Sequence, residues 1–172
     1  MASLIENLIS VLEKESSEYE ELLGLSMKKT PIIVAGDLSA LQQITDEEQN
    51  VVSRINHLDS QRAEVIKDIA NVMNKDVKTL KLVDLIKMLE SRPQESRKLA
   101  EVHDKLKTVV QNMKRVNEQN RELIAHSLEL VEFDMNLLQA MKTAPETANY
   151  NRGAYNAGDV MGTERGGFDA KS

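Results

Sequence analysis

Cysteine and tryptophan are missing from this 172-residue chain, and aromatic residues make up only 3% of it. Without cysteine, the chain forms no disulfide and offers no thiolate to a metal ion. Aromatic side chains usually fill the centre of a globular domain, so their scarcity argues against that kind of core. The apolar residues are mainly leucine, isoleucine, valine and methionine. This composition favours helices packed along their lengths.

Proline and glycine are also scarce, with three and seven residues, and the glycines are unevenly distributed. Five of the glycines stand at positions 153, 158, 162, 166 and 167. The body of the chain therefore has almost no helix breakers, whereas its C-terminal stretch is rich in them. We predict a helical bundle domain over residues 1–142 and a flexible, glycine-rich tail over residues 143–172.

Long blocks of one charge are absent too. The formal net charge is −6, and acidic and basic residues are interleaved. No basic block with interspersed aromatic residues indicates nucleic-acid binding. The N-terminal sequence MASLIENLISVLEKE has no basic start, and Glu6 interrupts its apolar residues. We therefore expect neither a signal peptide nor membrane insertion.

The sequence contains no recognisable catalytic or cofactor-binding motif. The glycine-rich GTERGG at 162–167 lacks the Lys-Ser or Lys-Thr pair of a phosphate-binding loop. Glu122 and His126 have a spacing that two metal ligands can share, but a di-metal bundle needs Glu-x-x-His on two helices and further carboxylates. Surface ion pairing explains this pair better. We predict no catalytic residue, no metal site, no cofactor and no enzymatic activity.

A stripe of apolar residues predicts a long first helix. Its members recur at helical spacing, with Glu15 or Ser16 in one turn: Ile5, Leu8, Leu12, Tyr19, Leu22 and Leu23. Pro31 lies within the extrapolated helix and removes a backbone donor, so we expect a kink near Lys28 or a helix end there. Gly36 is expected to end this helix, and Asp37 to cap the next one.

The same periodicity predicts the other helices. The second runs from about Leu38 to Val72, and a small helix capped by Thr79 extends to about Leu89. Pro93 suits the first turn of a third long helix, which continues without glycine or proline to Lys142. The short turn after the first helix makes it antiparallel to the second. The predicted fold is all-α, an elongated antiparallel bundle of three long helices and one short helix.

The last part of the third long helix has more apolar residues than one face holds. They are Leu123, Ile124, Leu128, Leu130, Val131, Phe133, Met135, Leu137, Leu138 and Met141. A helix packed on a two-helix hairpin buries only about a 100° stripe. The surplus residues are covered by closure of the bundle, by a second copy of the chain or by a partner, and the sequence does not choose among these. Asn117 and Asn120, almost one turn apart, either fix helix register or offer amides to a bound peptide.

Three segments resemble the FlgN-type flagellar export chaperones. They are LISVLEKESSEYEELLGLSMKK in the first helix, GDLSALQQITDEEQNVVSRINHLDSQR in the second and VNEQNRELIAHSLELV in the third. The tail, with Tyr150 followed by glycines, is also similar. Pro31 departs from the uninterrupted first helix of the family. The residues that match the family's signature in the third helix are Asn117, Asn120, Leu123 and Ile124.

This resemblance implies a cytoplasmic, non-enzymatic chaperone of type III export. Such a chaperone holds hook–filament junction proteins by their C-terminal helices, keeps them unassembled and delivers them to the export apparatus. The client-binding region of the family maps onto the third long helix and the tail. The partner-binding residues expected here are Val116, Asn117, Asn120, Leu123, Ile124, Ser127, Val131, Met135, Leu138 and Tyr150. The alternative is a self-associating coiled-coil adaptor or structural protein, and the free chain is expected as a monomer or a homodimer.

Overall fold

Four α-helices make up most of the chain that the computed structural model describes, residues 2–143. They are α1 (Ala2–Ala35), α2 (Leu38–Val72), α3 (Leu82–Met88) and α4 (Pro93–Thr143). A short 3-10 helix, Leu89–Ser91, precedes α4, and no strand occurs in these residues. The predicted all-α fold with three long helices and one short helix is confirmed. Residues 144–172, which include Tyr150 and nearly all of the predicted tail, lie outside the described part.

The chain divides into two units, Met1–His126 and Ser127–Ser172. The first unit contains α1, α2, α3 and the first part of α4, and all the buried side chains of the described residues belong to it. The described residues of the second unit, 127–143, are the last part of α4. The division therefore falls within α4. The boundary between a helical domain and a tail after Lys142 stays a prediction.

The turn between α1 and α2 has the geometry that its sequence predicts. Gly36 adopts a left-handed conformation with a φ of 69°, and its N–H donates to the carbonyl of Ile33 at 3.1 Å. The N–H of Asp37 donates to the carbonyl of Ile32 at 3.4 Å, which completes a Schellman-type helix end. Asp37 also caps α2, because its Oδ1 accepts from the N–H of Ala40 at 3.0 Å.

Pro31 does not end α1, so of the two alternatives, a kink near Lys28 or a helix end there, the helix end is wrong. The helix continues to Ala35 with Pro31 inside it. Proline has no N–H, so the carbonyl of Met27 loses its usual helical donor. Both Met27 and Pro31 lie on the exposed side of α1, where solvent can hydrogen-bond to that carbonyl. The proline is tolerated because its missing bond faces water.

The small helix begins later than its sequence suggests, and the prediction that Thr79 caps it is wrong. α3 starts after Lys81, which makes no side-chain capping bond. The hydroxyl of Thr79 instead donates to the carbonyl of Asp76 at 3.0 Å. The Oδ1 of Asp76 accepts from the N–H of Lys78 at 2.9 Å, as in an Asx turn. This local turn uses Thr79 and delays the helix.

Ion pairs show that α1 and α2 run antiparallel. Glu15, in the first half of α1, pairs with Arg62, in the second half of α2, at 3.1 Å. Lys29, near the end of α1, pairs with Glu48, in the first half of α2, at 2.7 Å. The predicted antiparallel hairpin is therefore confirmed.

Within the first unit, α4 runs parallel to α1. Glu20 pairs with Lys105 at 3.0 Å, and the carbonyl of Ser26 accepts from the side chain of Asn120 at 2.8 Å. The residue numbers of the partners rise together along the two helices. Because α1 and α2 are antiparallel, α4 is also antiparallel to α2. The three long helices therefore follow an up-down-up order within this unit.

Two separate apolar clusters form the core of the first unit. The larger consists of Ile5, Leu8, Ile9, Leu12, Ile69, Leu85, Leu89, Leu99, Leu106 and Val109. The smaller consists of Leu22, Leu25, Ile44, Val51 and Ile55. Tyr19 packs against both clusters. Between their α1 members, Glu15 and Ser16 are each only 1% exposed, so this polar turn of the stripe lies inside the protein.

The two glycines in and after α1 are expected to respond to alanine in opposite ways. Gly36→Ala should lower the free energy of unfolding by about 1 kcal/mol, because a Cβ disfavours the left-handed conformation. Gly24→Ala should raise it by about 0.5 to 1 kcal/mol, because alanine loses less backbone entropy in a helix. A Cβ at either position meets nothing within 4 Å, so sterics do not confuse the comparison. Urea denaturation of both variants measures the difference, and effects of the same sign would contradict the prediction.

Candidate partner-binding surface

A polar cluster joins α1, α2 and α4 in the first unit. Asn120, only 4% exposed, donates from Nδ2 to the carbonyl of Ser26 at 2.8 Å, and its Oδ1 accepts from the hydroxyl of Thr30 at 2.6 Å. The Oγ of Ser26 lies 3.0 Å from Glu48 Oε1 and 3.1 Å from Asn117 Oδ1. The Ser26 hydroxyl has one hydrogen, so it donates to only one of these two oxygens at a time. We call these five residues the polar cluster.

The polar cluster uses Asn120 within the fold. The Nδ2 and the Oδ1 of Asn120 each form a hydrogen bond with α1, and the side chain is buried away from solvent. A buried asparagine specifies which residues of two helices lie opposite each other, because any shift leaves its donor and acceptor unpaired. Of the two alternatives left open by the sequence, the structure favours register for Asn120. Asn117 is exposed, although its Oδ1 is within hydrogen-bonding distance of Ser26.

A second polar site lies between the two apolar clusters. The side chain of Glu15 is 2% exposed, and its Oε2 accepts from Arg62, which also pairs with Asp59. Its Oε1 and the Oγ of Ser16 have no hydrogen-bond partner within the described part. Burial raises the pKa of Glu15, the guanidinium of Arg62 lowers it, and the carboxylate of Asp59 raises it, with a net rise. The loss of solvent therefore outweighs the attraction to Arg62.

The described residues of the second unit present a large apolar surface. Eight large apolar side chains there are each at least 50% exposed: Leu128, Leu130, Val131, Phe133, Met135, Leu137, Leu138 and Met141. Scattered exposed apolar residues are normal on a protein surface, whereas large exposed apolar patches mark interaction sites. The apolar residues of this segment thus have no cover within the described chain.

These eight residues form two stripes on the helix. At about 100° of rotation per residue, the first stripe lies within an arc of about 80° and consists of Leu128, Val131, Met135 and Leu138. The second stripe covers a similar arc and consists of Leu130, Phe133, Leu137 and Met141. The centres of the two stripes are about 135° apart around the helix axis. The smaller arc between them contains Asp134, and the larger arc contains a polar face with Glu129, Glu132 and Asn136.

The structure separates the residues predicted to contact a partner into three groups. Val116 and Asn120 are buried in the first unit, at 8% and 4% exposure, so their side chains pack within the bundle. Also in the first unit, Asn117 and Ile124 are exposed, and Leu123 is half-buried. In the second unit, four are exposed: Ser127, Val131, Met135 and Leu138. Tyr150 lies outside the described residues.

The second stripe was not among the predicted partner-binding residues. A stripe continued from Val116 through Ile124 to Val131 and Leu138 follows only one side of the helix. The signal for the second stripe is present in the sequence as apolar residues at i, i+3, i+7 and i+11 starting from Leu130.

The described residues show neither a metal-binding cluster nor a membrane-spanning helix. Between residues 2 and 143, no three His, Asp or Glu side chains come together in a way that holds a metal ion. None of the helices in this range combines the length and apolar content needed to cross a bilayer. The described residues of the second unit form an apolar helix with acidic and amide edges.

Comparison with known proteins gives the chain its family. A model of the family described as FlgN protein matches residues 1–157. A protein of Bacillus subtilis (strain 168), named Uncharacterized protein YvyG, is 26% identical over 144 residues, which are 84% of this chain and 83% of that protein. No solved structure matches. The family match includes all four helices, the polar cluster and both stripes, and the chain belongs to the FlgN family.

Proposed function

We propose that this chain is a cytoplasmic chaperone that binds hook–filament junction proteins before their export through the flagellar type III apparatus. The FlgN family is one of flagellar export chaperones, and the match over residues 1–157 supports the general role. The observation that carries the proposal is the exposed apolar surface of residues 128–141. The clients are bound through their C-terminal helices, and neither a cofactor nor a catalytic step is required.

The physical basis of the proposal is that two exposed apolar surfaces, one on the client and one on this chain, bury each other. An unassembled axial subunit exposes amphipathic helices that otherwise self-associate. The second unit of this chain supplies an apolar helix against which they pack, in a helix-in-groove or helix-on-helix mode. Three of its exposed residues, Met135, Phe133 and Met141, have adaptable or large side chains, which suit a surface that accepts related clients.

The partner-binding residues in this proposal are those that solvent reaches. Val131, Met135 and Leu138 of the first stripe contact the client, and Ser127 lies at the start of the same segment. In the first unit, the exposed Asn117 and Ile124 and the half-buried Leu123 remain predicted contacts. Tyr150 remains a predicted contact to the client or to the export apparatus. Val116 and Asn120 stabilise the bundle and affect the client only indirectly.

Binding to a junction protein from the same organism tests the proposal. The full-length chain is expected to bind the intact junction protein with a dissociation constant in the low micromolar range or tighter, measured by isothermal titration calorimetry. A junction protein without its C-terminal helix should bind at least ten times more weakly, because it lacks the apolar face that covers α4. Unchanged binding of the shortened client would contradict the proposed mode.

Sedimentation of the free chain distinguishes the chaperone from the self-associating adaptor. A chaperone with uncovered stripes should bind its client in preference to a second copy, so client addition should convert any oligomer to a defined complex. Strong concentration-dependent self-association with no binding to the junction protein would support the adaptor. Secretion of junction proteins by cells that lack the chain provides the matching cellular measurement.

A further inference from the structure

We infer that the second unit binds two amphipathic client helices at once, each seated on one of its two stripes, and that basic residues flank their apolar faces. This inference rests on the proposed function and specifies the client segment, which is a helical pair instead of a single helix. It concerns residues 128–141, all in the second unit.

The separation of the stripes requires two helices. Helices pack with axes about 8 to 10 Å apart, and one neighbour covers about a 100° stripe. The centres of the two stripes are about 135° apart around the axis. A single helix centred on Val131 and Met135 therefore leaves Phe133 and Leu137 in water. Complete burial of the eight side chains needs a second helix on the other side of Asp134.

The length of the stripes sets the size of the client helices. From Leu128 to Met141 the helix rises by about 20 Å. Each stripe supplies four large side chains, at least one in every turn of this segment. Client helices of about four turns cover a stripe from end to end. Shorter helices leave one of its ends exposed.

The charges of the segment point to basic residues on the client. Between 127 and 143 there are three carboxylates, Glu129, Glu132 and Asp134, and one lysine, Lys142, so the formal net charge of the segment is −2. Asp134 lies in the arc between the stripes, where it faces the edges of both seated helices. Lysine or arginine beside the apolar residues of the client complements this acid and avoids a desolvated, unpaired charge.

The same observations disfavour occupants that this chain can provide. A second copy brings the same acidic segment, and like charges at a helix interface cost stability. A two-fold dimer also covers only one stripe on each copy. Residues 144–172 follow the segment directly, but five of the seven glycines of the chain fall there, and each costs about 1 kcal/mol in a helix. Neither source supplies two good amphipathic helices.

Matched substitutions in the full-length chain test the inference, with the intact junction protein as the probe. Val131→Asp changes the first stripe, and Leu137→Asp changes the second. The control, Asn136→Asp, adds the same charge to the polar face of the same segment. Each stripe variant should bind the junction protein at least ten times more weakly than the unchanged chain. Asn136→Asp should stay within a factor of two. Circular-dichroism melts should be the same for all four proteins, because the three side chains are exposed.

Alanine variants separate the loss of contact from the effect of an added charge. Val131→Ala and Leu137→Ala keep the helix propensity, and each should still weaken binding several-fold. If only one stripe responds to both substitutions, the client seats a single helix and the inference is overturned while the proposed function stands. If the unchanged chain does not bind the junction protein, the proposed function fails and the inference falls with it. If sedimentation shows a dimer that one stripe variant dissociates, a second copy is the occupant and the inference is overturned.

Discussion

Replacing Arg62 by methionine is expected to lower the free energy of unfolding by about 2 to 3 kcal/mol at pH 7. Methionine keeps most of the apolar stem and removes the charge. Glu15, with a side chain only 2% exposed, then loses its ion-pair partner while remaining buried. Breaking a fully buried ion pair costs about 3 to 5 kcal/mol. The loss expected here is at or below the lower value, because the side chain of Arg62 is 31% exposed and water weakens the interaction.

The same substitution should change how stability depends on pH. The folded pKa of Glu15 lies above its ordinary value of 4.5, mainly because of burial. Stability from such a group is fully present below the unfolded pKa and is lost as pH rises through the folded pKa. Without Arg62 the folded pKa rises further, so the loss extends to higher pH. The stability difference between Arg62→Met and the unchanged chain should therefore shrink as the pH falls to 4.5.

Urea denaturation at pH 7 and at pH 4.5 measures this effect, and two further variants act as controls. Arg54→Met removes another arginine that pairs two α1 carboxylates, those of Glu18 and Glu21, but at an exposed position. Its effect should be much smaller than that of Arg62→Met. Adding Glu15→Gln to Arg62→Met should restore part of the loss, since no buried charge remains. Equal losses at both pH values, or no rescue by glutamine, would show that the ion pair is not the cause.

Replacing Asn120 by aspartate is expected to cost about 2 to 3 kcal/mol at pH 7. The two side chains have almost the same shape, so packing is retained. The Nδ2 that donates to the carbonyl of Ser26 at 2.8 Å becomes an oxygen, and a buried carboxylate then faces a carbonyl. The hydroxyl of Thr30 still donates to the remaining oxygen and limits the loss. Protonation of the aspartate at low pH restores a donor and should recover part of the stability.

Asn117→Asp is the matched control for this prediction. It makes the same chemical change three residues earlier on α4, at an exposed position. The Oδ1 of Asn117 accepts from the hydroxyl of Ser26, and aspartate keeps this acceptor. It should cost less than about 1 kcal/mol. Thermal or urea unfolding of both variants gives the comparison, and equal losses would mean that the burial of Asn120 does not matter.

Local signals in the sequence were sufficient for most of the fold. Gly36 and Asp37 specify a left-handed helix end and a cap through their own backbone and side chain, so the turn between α1 and α2 was predicted correctly. Pro93 fixed the start of α4 in the same way. Thr79 does not cap α3 and Pro31 does not end α1, because both outcomes depend on the surroundings of the residue. Asp76 offered Thr79 a competing turn, and the solvent-facing position of Pro31 removed the reason to end the helix.

The candidate site was harder to predict, since burial depends on what lies opposite. Nothing in the sequence near Asn120 shows that Ser26 and Thr30 stand beside it, because this follows from the parallel arrangement of α1 and α4. The second stripe has a different cause. A single apolar stripe extended from Val116 follows one side of the helix, and side chains such as Phe133 are then counted as excess although they form a face of their own.

The division of the core into two apolar clusters affects how this sequence diverges among relatives. The buried side chains form two separate clusters, so a volume change at Leu12 should be compensated by another member of its own cluster, such as Leu99, and not by Val51. Compensating substitutions should therefore arise within one cluster, and the two clusters should accumulate substitutions independently. Tyr19 is the exception, because it touches both clusters and its replacement calls for adjustments on two sides.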